Sequence, residues 1–369
     1  MKILHIVRQF YPSIGGVENF VYNLAKHQIL SGDDVSILTL NRSFQNNRML
    51  ASEEIYDGIK INRIGFWGCK RYAIAPSCIS RLSGFDIIHI HCVDFFVDYL
   101  SFLKPFHKKK MVLHTHGGFF HTKWLLMLKR LYFYTITRMA LMGCDRIIAC
   151  SENDRELFSA ISNNVVLVDN GVDVEKYSTI QKNIEYGSLV YIGRIAENKR
   201  VDALIRATAC LVRKGLAVTL KIIGEDYSGT IPQLRSIAAG MGIADRVVFL
   251  GRVNDADLVN EMSKAHVFVS ASEYEAFGIS AVEAMASGTV CVLSDIPSFK
   301  KFVDSEAIGI ITDYKDCEGA AAAIARVLCM NAENYIRIGM AARQRASLYN
   351  WNKVEKKVRS VYREILECV

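Results

Sequence analysis

Residues 169–207, DNGVDVEKYSTIQKNIEYGSLVYIGRIAENKRVDALIRA, hold the break on which the architecture turns. The first twenty are mostly polar, carry the turn pair Asn170-Gly171 and show no apolar period, so the sequence predicts a linker there. The run LVYIG then reads as a short buried strand, and VDALIRA opens a helical pattern. The same alternation of apolar run and longer helix repeats on both sides of the break. Upstream, strands are expected at 2–7, 35–40, 86–91, 111–115, 146–150 and 165–169, with helices between them such as 17–30 and 123–142. Downstream, strands are expected at 189–193, 218–223, 247–250, 267–270, 290–293 and 308–311. Short Val/Ile/Leu runs joined by crossover helices are the mark of parallel strands buried on both faces. The expected fold is α/β, with two Rossmann-like doubly wound domains at 1–175 and 186–348. A terminal helix within 349–369 is free to pack back on the first domain. Ligands of such sheets bind at the carboxyl ends of the strands, so a cleft between the domains is the expected site.

Length and composition agree with two cores. The chain has 369 residues, 51% hydrophobic and 22% charged, a balance that excludes both a small module and long disorder. The net charge of +7 is unevenly spread: residues 1–170 hold 20 of the 45 basic and 14 of the 38 acidic side chains. That leaves the second half nearly neutral, and eight of the nine histidines also lie in the first half, which suggests that this half meets something anionic. No apolar tract is long enough to span a bilayer, since Arg138 breaks LYFYTITRMALMG. The start, MKILHIVRQFYP, lacks a small-residue cleavage site and reads as a first strand, so a cytoplasmic protein is expected. The ten cysteines form no CxxC pair, which favours reduced core thiols over disulfides or zinc. Nucleic-acid binding is not indicated, because the second half is nearly neutral and no recognised module occurs.

Three stretches carry candidate chemistry. In YPSIGGVENF, Gly15-Gly16 lies between the first strand and the first helix, where bare backbone and helix-start N–H groups suit a phosphate. The residues alone leave a plain turn open as the alternative, and the absence of GxGxxG argues against a dinucleotide fold. After the strand LVYIG come Arg194 and Lys199, placed to neutralise a diphosphate as fork and point charge, or else to serve as surface charges. Arg200 and Arg206 are expected on a solvated helix face. In EYEAFGISAVEAMASG, Glu275 lies in a loop, Phe277-Gly278 opens a helix and Glu283 falls within it. That layout offers N–H groups to a phosphate and carboxylates to hydroxyls on either side, as an activated sugar requires. Standing alone, the pair would be better read as a loop charge and a solvated helix residue.

Taken in order, GGVE, GRIAENK and the E-x7-E pair of EAFGISAVEAMASG resemble glycosyltransferase family 4, retaining enzymes of the GT-B fold, across essentially the whole chain. The stretches VRQFYPSIGGVE, VDFFVDYL, THGGFFHT, SENDRELF and NGVDVEKY are most similar to its α-mannosyltransferases of xanthan- and acetan-type exopolysaccharide assembly. The resemblance implies the GT-B arrangement, with a nucleotide sugar as donor, GDP-mannose in that subgroup, and a lipid-diphosphate-linked glucose disaccharide as acceptor. It implies that Arg194 and Lys199 bind the donor diphosphate, backbone N–H groups of Phe277 and Gly278 the distal phosphate, Glu275 the sugar hydroxyls and Glu283 the ribose. Gly16 would approach the phosphates. His116, at a strand end before Gly117-Gly118, matches the family's histidine beside the reacting sugar. Ala276 departs from the frequent E-G-F-G form, which leaves Glu275 in place and tightens the loop.

The family also implies transfer without a metal cofactor, and the residues agree with it. Asp255-Ala256-Asp257 reads as an acidic helix start rather than a metal-binding DxD. His114 and His116 share a strand face with no carboxylate ligand nearby, so a bound metal is not expected. His89 and His91 are expected to be structural, while His114 and His121 lie beneath the site or meet acceptor. Residues 102–110 and 123–138 mix aromatic, aliphatic and basic side chains, the composition of a surface that rests on the anionic inner face of the cell membrane. The alternatives are a UDP-sugar transferase with another acceptor and a non-catalytic nucleotide-sugar binder. The intact Glu275 and Glu283 argue against the second.

Overall fold

A computed structural model of the chain describes residues 1–13, 15–70, 72–117, 126–226 and 229–367. It divides into two compact units, Met1–Gly171 with Trp351–Val369, and Val172–Asn350.

The first unit is built on an eight-stranded sheet in the order Val165–Leu167, Arg146–Ala149, Lys110–His114, Ile87–His91, Lys2–Ile6, Asp34–Leu40, Ile59–Ile64, Glu53–Tyr56. All neighbours are parallel except the last pair, a hairpin turned by Asp57 and Gly58 with φ of 49° and 80°. Positive φ at both central residues is what a two-residue hairpin loop needs. This hairpin, and the small one formed by Trp67–Cys69 and Tyr72–Ile74, were not among the expected strands. The chain runs outward from Lys2–Ile6 to one edge, then returns to Ile87–His91 on its other side. The order therefore reverses between these two strands, and a crevice at their carboxyl ends is the natural ligand position.

The terminal helix Trp351–Glu367 belongs to this first unit. Trp351, Val354, Val358, Val361, Tyr362 and Ile365 recur every three or four residues and pack with Ile3, Phe20 and Val112 in one core. Gly171 lies beneath Trp351: a Cβ there would come within 2.3 Å of the indole, so any larger residue would displace the helix. The helix expected over 123–142 begins outside the described residues, as do His121 and Gly118. From Leu126 it continues as Leu126–Tyr132, a π-helical turn Phe133–Thr137 and a last turn Arg138–Leu141.

The second unit carries a fully parallel six-stranded sheet, ordered Val247–Gly251, Thr219–Ile223, Ser188–Ile192, Val267–Ser270, Val290–Ser294, Ile310–Thr312. Its reversal point falls between Ser188–Ile192 and Val267–Ser270, which pair directly. The stretch expected as a linker is instead part of this unit. Val172, Val174 and Tyr177 are buried among Phe268, Phe277, Val282 and Met285, and the Lys182 ammonium donates to the carbonyls of Met262 and Ala265 and to Thr289 Oγ1. The apolar residues of 172–180 have no regular period because they fill gaps against the helix Ile279–Ala286 and the strand Val267–Ser270 rather than forming a long amphipathic element. The boundary thus lies at 171/172, and Tyr177 and Lys182 tie the segment 176–185 to the second unit.

Candidate active site

Every candidate of the second unit hangs from the two loops at its reversal point or from the helix that follows. Lys199 ends the loop after Ser188–Ile192, and Glu275 lies in the loop after Val267–Ser270. Because those strands are neighbours, their loops meet: Lys199 Nζ stands 2.6 Å from Glu275 Oε2, with Lys199 only 8% exposed. Ser272 Oγ donates to the other carboxylate oxygen at 2.9 Å, and Ser298 Oγ to the Glu275 carbonyl at 2.6 Å. Arg200, expected on a solvated face, instead ties the same loops together by pairing with Asp202 at 3.0 Å and with Glu273 at 2.6 Å. Its φ of 48° directs the chain into the helix Val201–Arg213. Arg194 is exposed, its backbone carbonyl held by the Tyr191 hydroxyl at 2.9 Å. Among the described residues its guanidinium enters no ion pair. One cation is therefore committed to a carboxylate and one is open to solvent.

The helix start at 277–279 is rigid for a steric reason. Phe277 is buried against Phe302 and Tyr349, with ring centroids 5.1 and 5.4 Å away. Gly278 has φ of 100°, and a Cβ there would meet the Phe299 ring at 2.9 Å. Only glycine fits, and the helix Ile279–Ala286 packs on Ala281, Ala284 and Ala286. Its first N–H groups are thereby fixed in direction, as a binding position for an anion would require. Glu283 does not join the Lys199–Glu275 pair. Burial pushes its carboxyl up to about 7, opposed by Lys176 and reinforced by Asp255 and Asp173, with Tyr177 also alongside. Asp255 and Asp257 lie in the first turn of Asp255–Lys264, capped by Asn254, which accepts from Asp257 N.

In the first unit, Gly15 and Gly16 begin the helix Gly16–Leu30. A Cβ on Gly15 would strike the Glu18 carboxylate at 2.4 Å, whereas a Cβ on Gly16 would meet nothing within 4 Å. The Glu18 carboxylate is the movable end of a flexible side chain, so packing inside the protein requires glycine at neither position. His116 lies two residues beyond the strand Lys110–His114 with φ of 55°. Left-handed backbone on a non-glycine residue costs about 1–3 kcal/mol and must be held by its surroundings. Asp154 does this: its Oδ2 accepts from Thr115 Oγ1 and, at 2.8 Å, from Gly117 N. Sequence reading missed this role, although Ser151 and Asp154 of SENDRELF form a helix-capping pair in which Ser151 Oγ accepts from Asp154 N.

His116 is also joined to residues expected to be structural. Its Nε2 lies 2.8 Å from Nδ1 of His91, and its ring stacks on His114 at 4.4 Å. Two overlapping triplets, His5/His89/His91 and His91/His114/His116, bring one ring nitrogen each within 4.8 Å of one another, as near as a metal would need. Their closest nitrogens are hydrogen-bonded pairs, and His91, His114 and His116 lie within 13–32° of parallel. Lone pairs in stacked rings run side by side rather than converging on one centre.

Comparison with known proteins gives the family of the chain. Residues 176–345 match the family described as Glycosyl transferases group 1, and residues 14–176 match Glycosyltransferase Family 4. The chain is similar to a GDP-mannose:cellobiosyl-diphosphopolyprenol alpha-mannosyltransferase of Xanthomonas oryzae pv. oryzae, 36% identical over 99% of this chain and 97% of the relative. A protein of the same name from Komagataeibacter xylinus is 32% identical over 99% of this chain and 94% of its own. In fold the chain is similar to a sucrose-phosphate synthase of Thermosynechococcus elongatus, with a TM-score of 0.77, 19% identity and 100% of both chains covered.

Proposed function

This chain belongs to glycosyltransferase family 4, with the GT-B fold, and from that premise we propose that it moves α-mannose from GDP-mannose to a polyprenyl-diphosphate-linked cellobiose with retention. Such a step builds an exopolysaccharide repeat unit. The observation that carries the reading is the buried Lys199–Glu275 contact at the reversal point of the second sheet, in a chain similar from end to end to enzymes of that name. The second unit takes the donor and the first the acceptor. Arg194 and Lys199 neutralise the diphosphate, backbone N–H groups at Phe277 and Gly278 meet its distal phosphate, Glu275 accepts from sugar hydroxyls and Glu283 from the ribose. Gly16 leaves open space for the phosphates, and His116 faces the reacting sugar.

The reaction needs no protein nucleophile. With the acceptor hydroxyl on the face from which the nucleotide departs, the leaving phosphate oxygen takes the hydroxyl proton as the new glycosidic bond forms. The residues supply position and fixed positive charge, which stabilise the phosphate as it gains charge. Arg194, Lys199 and the helix start provide that charge, so the proposal includes no metal cofactor. A panel of GDP- and UDP-sugars with polyprenyl-diphosphate cellobiose tests the reading, scored for a trisaccharide lipid. Product from GDP-mannose alone is the expected result; product from a UDP-sugar alone would replace the donor while leaving the family untouched.

Glu283 gives this proposal a pH signature. A carboxylate that accepts from two ribose hydroxyls must be ionised, and a group raised to about 7 is protonated below that pH. Donor affinity is expected to be full above pH 7 and to fall as the pH drops through that value, approaching about tenfold per unit. Titration calorimetry with GDP-mannose across pH 5.5–8.5 measures it. The same flat profile in the parent and in Glu283→Gln would remove Glu283 from donor binding.

We further propose that the first unit rests on the anionic inner face of the membrane, where its lipid-linked acceptor lies. No helix among the described residues is long and apolar enough to cross a bilayer. Phe102, Phe106, Met127 and Met142 are each 79–87% exposed, on segments that also carry Lys104, Lys108, Lys109 and Arg138. Apolar anchors beside cations are the chemistry of a membrane interface. Co-sedimentation with phosphatidylglycerol vesicles at low salt is expected, weakening when Phe102 and Phe106 are changed to Ser. Absence of binding at low salt would sink the peripheral placement.

A further inference from the structure

Five histidines form one layer of the first unit. His5, His89, His91 and His114 are wholly buried on three adjacent strands, and His116 follows the last of these. Parallel register places them side by side, His5 opposite His89 and His91 opposite His114, and the two-residue period keeps His89 and His91 on the same face. Neutral imidazole has one donor and one acceptor nitrogen, so hydrogen bonds between rings fix each other's tautomers. Burial lowers His5 to about 4 and His116 to about 3 and holds His91 well below its usual range, so all three are neutral near pH 7.

The bonds then have a direction. Gln28 Oε1 can only accept, and it lies 2.7 Å from His5 Nε2, so that nitrogen carries the proton. The Gln28 amide nitrogen donates to the Tyr362 hydroxyl at 3.2 Å, and that hydroxyl lies 2.5 Å from Nδ1 of His89, to which it can donate in turn. His5 Nδ1 is left as an acceptor, 2.9 Å from His91 Nε2, which therefore donates. His91 Nδ1 in turn accepts from His116 Nε2 at 2.8 Å. The sequence of donors and acceptors ends at Nδ1 of His116, the one atom of the chain not used in holding it together.

We propose that Gln28, His5 and His91 are positioning residues that hold His116 as its Nε2–H tautomer and present its Nδ1 as a hydrogen-bond acceptor for a hydroxyl of the sugar substrate. The inference rests on the reading of His116 as a site residue. Phe20 and His114 complete the support by fixing the ring plane: Phe20 meets His116 edge-on at 4.8 Å, and His114 stacks on it within 13° of parallel. His114 has both ring nitrogens buried without a partner among the described residues, so it acts here as an aromatic slab rather than a link. A relay of this kind needs no charge in the interior, and the buried rings therefore avoid the cost of an unpaired imidazolium.

Long-range proton–nitrogen correlation spectra of the full chain labelled with nitrogen-15 histidine read each tautomer directly. His5, His91 and His116 are expected as Nε2–H forms, with the Nδ1 of His116 unprotonated. Gln28→Leu removes the anchor; it is expected to give His116 mixed tautomer signals and to lower kcat about tenfold at unchanged donor KM. An Nδ1–H form of His116 in the parent protein would overturn the proposal, as would a stoichiometric transition metal on elemental analysis. So would unchanged His116 signals in Gln28→Leu. The parent spectrum decides the relay even if that variant fails to fold. Full turnover in His116→Ala would instead remove the site reading of His116, and the spectrum separates the two failures.

Discussion

Lys199→Met is expected to lower kcat/KM for transfer by about 10³ or more while leaving a folded chain, with nucleoside diphosphate affinity falling in parallel. The side chain is 10% exposed at the carboxyl end of the first strand of its unit, and its ammonium meets one carboxylate among the described residues, Glu275. A point charge so placed gains most when the departing diphosphate takes up charge, since little water screens it. Methionine keeps the length and apolar stem, so the loss isolates the charge. Stability should fall by roughly 1–3 kcal/mol, because Glu275 keeps the bond from Ser272 but loses its cation. Thermal denaturation separates that modest effect from the catalytic one. Lys199→Arg keeps the charge, and partial turnover is expected because a planar fork does not reproduce the same contact within that loop. Normal turnover in folded Lys199→Met would dismiss the assignment of this residue to the diphosphate.

The parts of the fold that were legible in sequence are those with a strong local cause. The parallel strands announce themselves because burial on both faces demands unbroken Val/Ile/Leu runs, and the helix after Phe277-Gly278 because only glycine tolerates φ of 100° there. The missed hairpin Glu53–Tyr56 with Ile59–Ile64 lies at the sheet edge, where Glu54, Lys60 and Asn62 interrupt the apolar pattern. The pair Asp57-Gly58 was the available signal. Residues 172–185 looked like a linker since the burial of Val172, Val174 and Tyr177 depends on a helix more than a hundred positions away. The same limit applied to the site. Glu275 and Lys199 were each named from their neighbours in sequence, but their 2.6 Å contact follows from strand adjacency, which no local spacing encodes. The histidine layer likewise needed the register of three strands before HIH and HTH could be read as one network.

Glu275→Gln is expected to separate the two partners of that contact. Glutamine keeps the shape and can still accept from Ser272, so the loop should hold its position, fixed also by Ser298 Oγ on the backbone carbonyl of residue 275. What changes is charge. The Lys199 ammonium is engaged by Glu275, and an entering diphosphate competes with that carboxylate for it. Neutralising position 275 frees the lysine, so affinity for the nucleoside diphosphate alone is expected to be unchanged or to rise. Transfer is expected to fall by about 10²–10³, because the amide is a weaker acceptor for the sugar hydroxyls and a donor where none is wanted. The two substitutions therefore move nucleotide binding in different directions while both suppress turnover. A Glu275→Gln protein that loses nucleoside diphosphate affinity as Lys199→Met does would mean that the pair acts only as a structural clasp between the two loops. The retained or increased affinity assigns the cation to the phosphates and the carboxylate to the sugar.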